Sequence, residues 1–125
     1  MLFKLRVCIQ DVEGDIMSEP ISFKDFQRLD LRVGKVVGVE NVPGRGKILS
    51  LLVDIGEDTR QVVVGGAEYY NPSYFMGRQV VILVNLQPKT IAGVESRGML
   101  LAAVQGERPV WLTVEEEVKP GTKIY

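Results

Sequence analysis

Histidine is absent from the 125 residues, and cysteine occurs once, at Cys8. The first absence removes imidazole as a general base and as a metal ligand. The second removes any internal disulfide and any zinc site built from cysteines. Nothing near Cys8 would activate its thiol, so it reads as an inert structural side chain. No nucleophile elbow or phosphate-loop motif is present; Gly65-Gly66 is followed by no Lys-Ser/Thr pair and reads as a plain turn. No apolar run approaches a membrane span, and Met1 to Arg6 alternates apolar and basic residues without the long apolar core of a signal peptide. The expectation is a cytoplasmic protein that does not engage a membrane.

Charge of one sign is also scarce. The net charge is −1, which does not suit a protein that coats nucleic acid by charge alone. The distribution is less even than the total. Residues 21–104 hold ten Lys and Arg against eight Asp and Glu, while residues 1–20 and 105–125 are net acidic. A few well-placed cations are therefore available in the middle of the chain. The paired carboxylates, Asp25 with Asp30 and Glu57 with Asp58, fall in helix caps and turns, with no spacing that would hold a metal. No catalytic residue, metal or cofactor is expected.

What is present is apolar sequence in short runs. At 46% hydrophobic content one domain of this length can bury a single core without staples. Phe3 to Ile9 reads as a strand by alternation, and Asp11 to Pro20 as an acidic linker in which Met17 could be the true translation start. Residues 1–20 are accordingly set apart from a domain over 21–125. Ser22-Phe23-Lys24-Asp25 resembles a capping box and opens a short helix expected only to pack. Strands are expected over Leu31–Glu40, Lys47–Ile55, Gln61–Val64, Gln79–Val84 and Gly98–Val104, with a short helical region at Glu68–Gly77 between the third and fourth. Gly34 and Gly38 mark a bend in the first strand. The aromatics Tyr69, Tyr70, Tyr74 and Phe75 are read as a plug for one end of a barrel rather than as a base-stacking platform. After Gly106, Val110–Val114 and Lys119–Tyr125 form short extended pieces, and Glu115-Glu116-Glu117 is a solvated turn. The fold class expected is all-β: a five-stranded OB-fold Greek-key barrel with short helices and extra terminal strands.

The polar stretch between the last two strands carries a resemblance. Asn85-Leu86-Gln87-Pro88-Lys89, then Gly93-Val94-Glu95-Ser96-Arg97-Gly98-Met99-Leu100-Leu101-Ala102-Ala103, resembles the OB-fold tRNA-binding domain family. Asp30-Leu31-Arg32-Val33-Gly34-Lys35-Val36-Val37 looks like the family's first strand, and the likeness extends over about Ile21 to Tyr125. Two places depart from the pattern. The family's His-Pro-Asn-Ala-Asp-Lys-Leu is here Val42-Pro43-Gly44-Arg45-Gly46-Lys47-Ile48, and an arginine common before the glycine of the loop is here Ala92.

The resemblance implies a non-catalytic module that binds tRNA by shape. Such domains occur as free-standing structure-specific tRNA-binding proteins, or as the beta subunit or C-terminal part of methionyl-tRNA synthetase. Implied partners are tRNA, a second copy of the chain in a homodimer, and the synthetase's catalytic subunit. Implied contact residues are Asn85 and Ser96 as hydrogen-bonding groups and Met99 against a sugar or base. Lys89, Arg97, Lys35 and Arg32 are the cations in or beside the motifs that suit phosphates. The alternative from another class is an export-related chaperone of the same superfamily that binds unfolded polypeptide. Those relatives lack the Gly-Met-Leu-Leu-Ala-Ala run retained here at Gly98 to Ala103.

Overall fold

The computed structural model describes residues 18–125. The expected strand at Phe3–Ile9, Cys8, the proposed start at Met17 and most of the linker lie outside the described residues. Ser22 caps helix α1 (Phe23–Gln27), its Oγ accepting from Asp25 N–H at 3.0 Å. Strand β1 (Leu31–Val42) follows and is the longest element of the sheet. Pro43 and Gly44, with Gly44 at φ 75°, form a two-residue turn into β2 (Arg45–Asp54), the residue pair that a type II turn demands. The expected 41–46 loop is thus a tight hairpin. Strand β3 (Thr59–Gly65) then leads to a single 3-10 turn at Pro72–Tyr74, and β4 (Gln79–Leu83) follows.

The loop expected after β4 is not irregular. It contains a hairpin of β5 (Lys89–Ile91) and β6 (Val94–Ser96). The expected strand at Gly98–Val104 is divided at Leu101 into β7 (Met99–Leu100), which pairs with β4, and β8 (Ala102–Gln105), which pairs with β9 (Arg108–Trp111). A last strand, β10 (Lys123–Ile124), returns to the start of β1.

The main sheet has the order β3-β2-β1-β4-β7, with β10 added on β1. Its two ends meet: Arg97 N–H, just before β7, donates to Gln61 O of β3 at 2.8 Å. This is the five-stranded barrel expected, with its helical turn between the third and fourth strands. Strand β1 serves two neighbours, β4 along Leu31–Lys35 and β2 along Lys35–Val42, with a register shift between Val36 and Gly38. It can curl between them because Gly34 has no side chain. A Cβ there would run into Val53 Cγ1 of β2.

The interior is lined by alternate residues of each strand, including Val36, Leu49, Leu51, Val53, Val62, Val80, Ile82 and Leu100. Val33, Val81 and Leu83 are also buried but lie outside this cluster, because they point to the opposite face. The C-terminal segment is laced to these same strands. Gly121 N–H donates to Val33 O at 2.7 Å, and Gln79 exchanges two side-chain hydrogen bonds with Val118.

Phe75 plugs the barrel at the 3-10 turn. It is 1% exposed, edge-on to Tyr74 at 5.3 Å and to Trp111 at 5.9 Å between ring centres. Tyr70 and Tyr74 pack against the core, whereas Tyr69 is exposed. Helix α1 packs less than expected: none of its residues is fully buried, and of its two phenylalanines Phe26 is half-buried while Phe23 is exposed. Phe75→Ala should cost about 3–5 kcal/mol in urea unfolding, as deletion of a buried aromatic does. Tyr69→Ala should cost well under about 1 kcal/mol. Equal losses for the two would refute the plug.

Candidate nucleic-acid interface

The β5–β6 hairpin turns on Ala92 and Gly93, at φ 52° and 82°. Both central residues of a type I′ turn need positive φ, which suits Asn, Asp or Gly. Ala92 occupies that conformation without the local hydrogen bond an Asn side chain can make. It is exposed at the hairpin tip.

The hairpin is held to the barrel by a seam of hydrogen bonds from β3. Gln61 Nε2 donates to Glu95 O at 3.0 Å, and Ser96 Oγ accepts from Val63 N–H at 3.0 Å while donating to Gly98 O at 3.2 Å. Ser96 is buried, 6% exposed, and both functions of its hydroxyl are engaged. Its place is beneath the loop rather than at the surface where a ligand would lie. Arg60 braces the same loop at both ends. One guanidinium nitrogen donates to Val84 O at 3.1 Å and to Arg97 O at 3.4 Å, and Nε lies 3.5 Å from an Asp58 carboxylate oxygen. Arg60 and Gln61 were not singled out from the sequence. The available signal was two long polar side chains opening an otherwise apolar strand, which are retained in a fold only with partners.

Asn85 stands where β4 ends, and its amide is a brace as well. Oδ1 accepts from Asp30 N–H at 2.9 Å, and Nδ2 donates to Arg28 O at 2.7 Å. One side chain therefore fixes the link from α1 to β1. Asp30 is the centre of a small charged knot. Its carboxylate meets Arg32 Nε at 2.7 Å and Lys123 Nζ at 3.0 Å, tying the start of β1 to β10. The Arg32 hydrogen bond, supported by Lys123 against the opposing effect of burial, holds the Asp30 carboxyl below the usual carboxylate range.

The structure gathers Asn85, Lys89, Arg97 and Met99 at one end of the barrel. Lys89 and Arg97 are exposed, and Met99, half-exposed, stands opposite Leu83 at the edge of the sheet. Arg32 lies at the same end, but its charge is paired with Asp30. Lys35 is not with them. It faces Gln79, whereas Leu31 faces Leu83, so Lys35 sits four residues back along the strands, about 13 Å from that edge. Near the loop, Glu95 offsets part of the positive charge.

Two measurements check this geometry. Ala92→Asn should stabilise the protein by about 0.5–1 kcal/mol, since Asn tolerates positive φ better; a lower melting temperature would contradict the turn assignment. Asp30 has a depressed folded-state pKa, so its contribution is present above the ordinary carboxylate range and is lost as pH falls through its lowered value. Asp30→Asn should therefore melt earlier than the parent at pH 7. The gap should begin to narrow below the ordinary carboxylate value of 3.8 and close below the lowered value of Asp30, and a gap independent of pH would rule out the ion pairs as its source.

A family model described as "Putative tRNA binding domain" matches residues 31–123, that is, from the first residue of β1 into β10. The methionine–tRNA ligase of Archaeoglobus fulgidus is 48% identical over 114 residues, which are 90% of this chain and 17% of that protein. That of Thermotoga maritima is 44% identical over 104 residues, 83% of this chain and 16% of the ligase. The chain thus spans about a sixth of the length of these curated relatives. Among solved structures, a MetRS-related protein from Pyrococcus horikoshii superposes with a TM-score of 0.81 at 32% identity, covering 86% of this chain and all of the other. The chaperone CsaA from Bacillus anthracis gives 0.78 at 35% identity, again covering 86% of this chain and all of the other. The matched region contains the whole barrel and its bracing seam, and the chain belongs to the tRNA-binding domain family found in methionyl-tRNA synthetases.

Proposed function

We propose that this chain is a non-catalytic, cytoplasmic module that binds tRNA by its shape and acts in trans with methionyl-tRNA synthetase, as a beta subunit or similar partner. The observation that carries the reading is the tRNA-binding family match, which extends over β1 to β10 and includes the hairpin with Lys89 and, just after it, Arg97 and Met99. Action in trans is supported by the likeness to the Pyrococcus horikoshii MetRS-related chain, which is covered over all of its length. A tethered binding module raises the local concentration of tRNA at a catalytic partner without adding chemistry.

The binding residues suit folded RNA rather than base reading. Lys89 and Arg97 offer charge for phosphates, and Met99 offers an apolar contact. Self-association is part of the proposal. Phe23, Val104, Leu112 and Tyr125 are exposed large apolar residues, with Tyr125 at 94%, and a second copy would cover such surface.

The chaperone reading is kept because of one observation: the Bacillus anthracis CsaA structure is similar over its whole length. A binding titration separates the two readings. Several unrelated tRNAs should bind within a few-fold of one another, and an unstructured RNA of equal length should bind more weakly. Lys89→Ala should weaken every tRNA alike and reduce the log-log salt slope by about one. Absence of tRNA binding together with suppressed aggregation of an unfolded protein would replace this reading with the chaperone one. Light scattering at micromolar concentration should give twice the chain mass.

A further inference from the structure

Helix α1 is held in place with no fully buried side chain, only Phe26 being half-buried. A five-residue helix has little intrinsic stability, and the usual source of support, an apolar face against the core, is reduced here to the half-buried Phe26. Its support comes from Ser22 at the front and from Asn85 at the back, where Nδ2 bonds Arg28 O and Oδ1 bonds Asp30 N–H. Asn85 is also the first residue of the segment that carries Lys89 and Arg97. The helix is therefore fixed beside that segment by the one side chain that begins it, across 57 residues of sequence.

Lys24 and Arg28 are both exposed, and neither guanidinium nor ammonium joins a salt bridge among the described residues. They are four positions apart, which places them on one side of the helical turn. Asp25, the helix's own acid, is one position round from Lys24 and lies in the first turn. Nearer the barrel, Arg32 and Lys123 are engaged by Asp30, whereas Lys24 and Arg28, like Lys89 and Arg97, join no salt bridge among the described residues.

We propose that Lys24 and Arg28 form a second phosphate-binding element, continuous with Lys89 and Arg97, and that Asn85 is the positioning residue that sets the two elements side by side. The ligand class is the phosphate backbone of a folded RNA. A single loop with two cations engages few phosphates, whereas two elements set by a rigid brace engage a backbone at a defined separation. This rests on the tRNA-binding reading above and specifies its contact surface. The exposed Ile21 and Phe23 point to the alternative occupant, a second copy of the chain, which the same experiment tests.

The double variant Lys24→Glu/Arg28→Glu, made in the full chain, should bind tRNA about tenfold or more weakly at low salt. Its salt slope should fall by about 1.4 to 1.8, for two phosphates. Its melting temperature should match the parent's, because the Lys24 and Arg28 side chains are both exposed. Lys119→Glu, at the far end of β4 beside the Val118–Gln79 hydrogen bonds, should change neither affinity nor slope. Asn85→Ala should weaken binding in the parent but add little in the double variant, since its action runs through the same cations. If Lys89→Ala weakens binding while the double variant keeps the parent's affinity and slope, the proposal is overturned and the tRNA-binding reading stands. If the parent chain binds no tRNA, the functional reading fails first and takes this inference with it. A double variant that loses binding only because it no longer dimerises, shown by light scattering, would assign α1 to self-association and overturn the proposal.

Discussion

Arg97 N–H on Gln61 O, and one residue away Val63 N–H on Ser96 Oγ, join the two ends of the main sheet. Without that seam the β5–β6 hairpin would be a six-residue ribbon projecting from β4, and an isolated two-stranded hairpin is marginal in water. With it, the hairpin inherits the rigidity of the barrel. The Arg60 guanidinium adds a brace from the carbonyl before the loop to the carbonyl near its end. The bonds are spent on backbone atoms, so they fix the path of the chain and leave the outward side chains unconstrained. Lys89, Arg97 and Met99 are the residues so presented.

The same economy explains how a protein of net charge −1 can offer a cationic edge. Some acids are placed away from it, as Glu115-Glu116-Glu117 beside Gly77 to Gln79 at the start of β4, and Asp58 near the loop is paired with Arg60. Asp30 sits at the edge, but two cations, Arg32 and Lys123, surround it. That knot is structural: it links β1 to β10, and its partners are not free to meet a ligand. Overall charge is a poor guide in such a case, because what matters is which cations remain unpaired at one end of the barrel.

The strands were legible in the sequence because β-branched residues run in short blocks bounded by Gly, Pro and Asn, and Gly34 and Gly38 marked the bend in β1. The aromatic plug was legible too, from the crowding of Tyr70, Tyr74 and Phe75. The site was legible as a segment but not as a set of roles. Asn85 and Ser96 are short polar residues in a motif, and sequence alone does not separate a group that faces a ligand from one that satisfies backbone atoms beneath it. Geometry separates them: Ser96 is buried with two bonds, Asn85 ties α1 to β1, and Lys35 belongs to the other end of β4. The hairpin inside the loop was hidden because Ala92 at its turn carries none of the usual signal for positive φ. Helix α1 was misread because Phe23, Phe26 and Leu29 suggest an apolar face, whereas Phe23 and Leu29 are exposed.

Leu31 pairs with Ile124, and Lys123 with Arg32. The place where the chain enters the barrel and the place where it leaves are therefore neighbours on one strand edge. A unit built this way is portable. Polypeptide added before or after it starts from the same corner and need not disturb a core position. That accounts for how one barrel can match a sixth of a large ligase and the whole of a small protein with the same architecture. Natural recombination could move the barrel between such settings with only a linker to adjust, and the braced hairpin would travel with it unchanged.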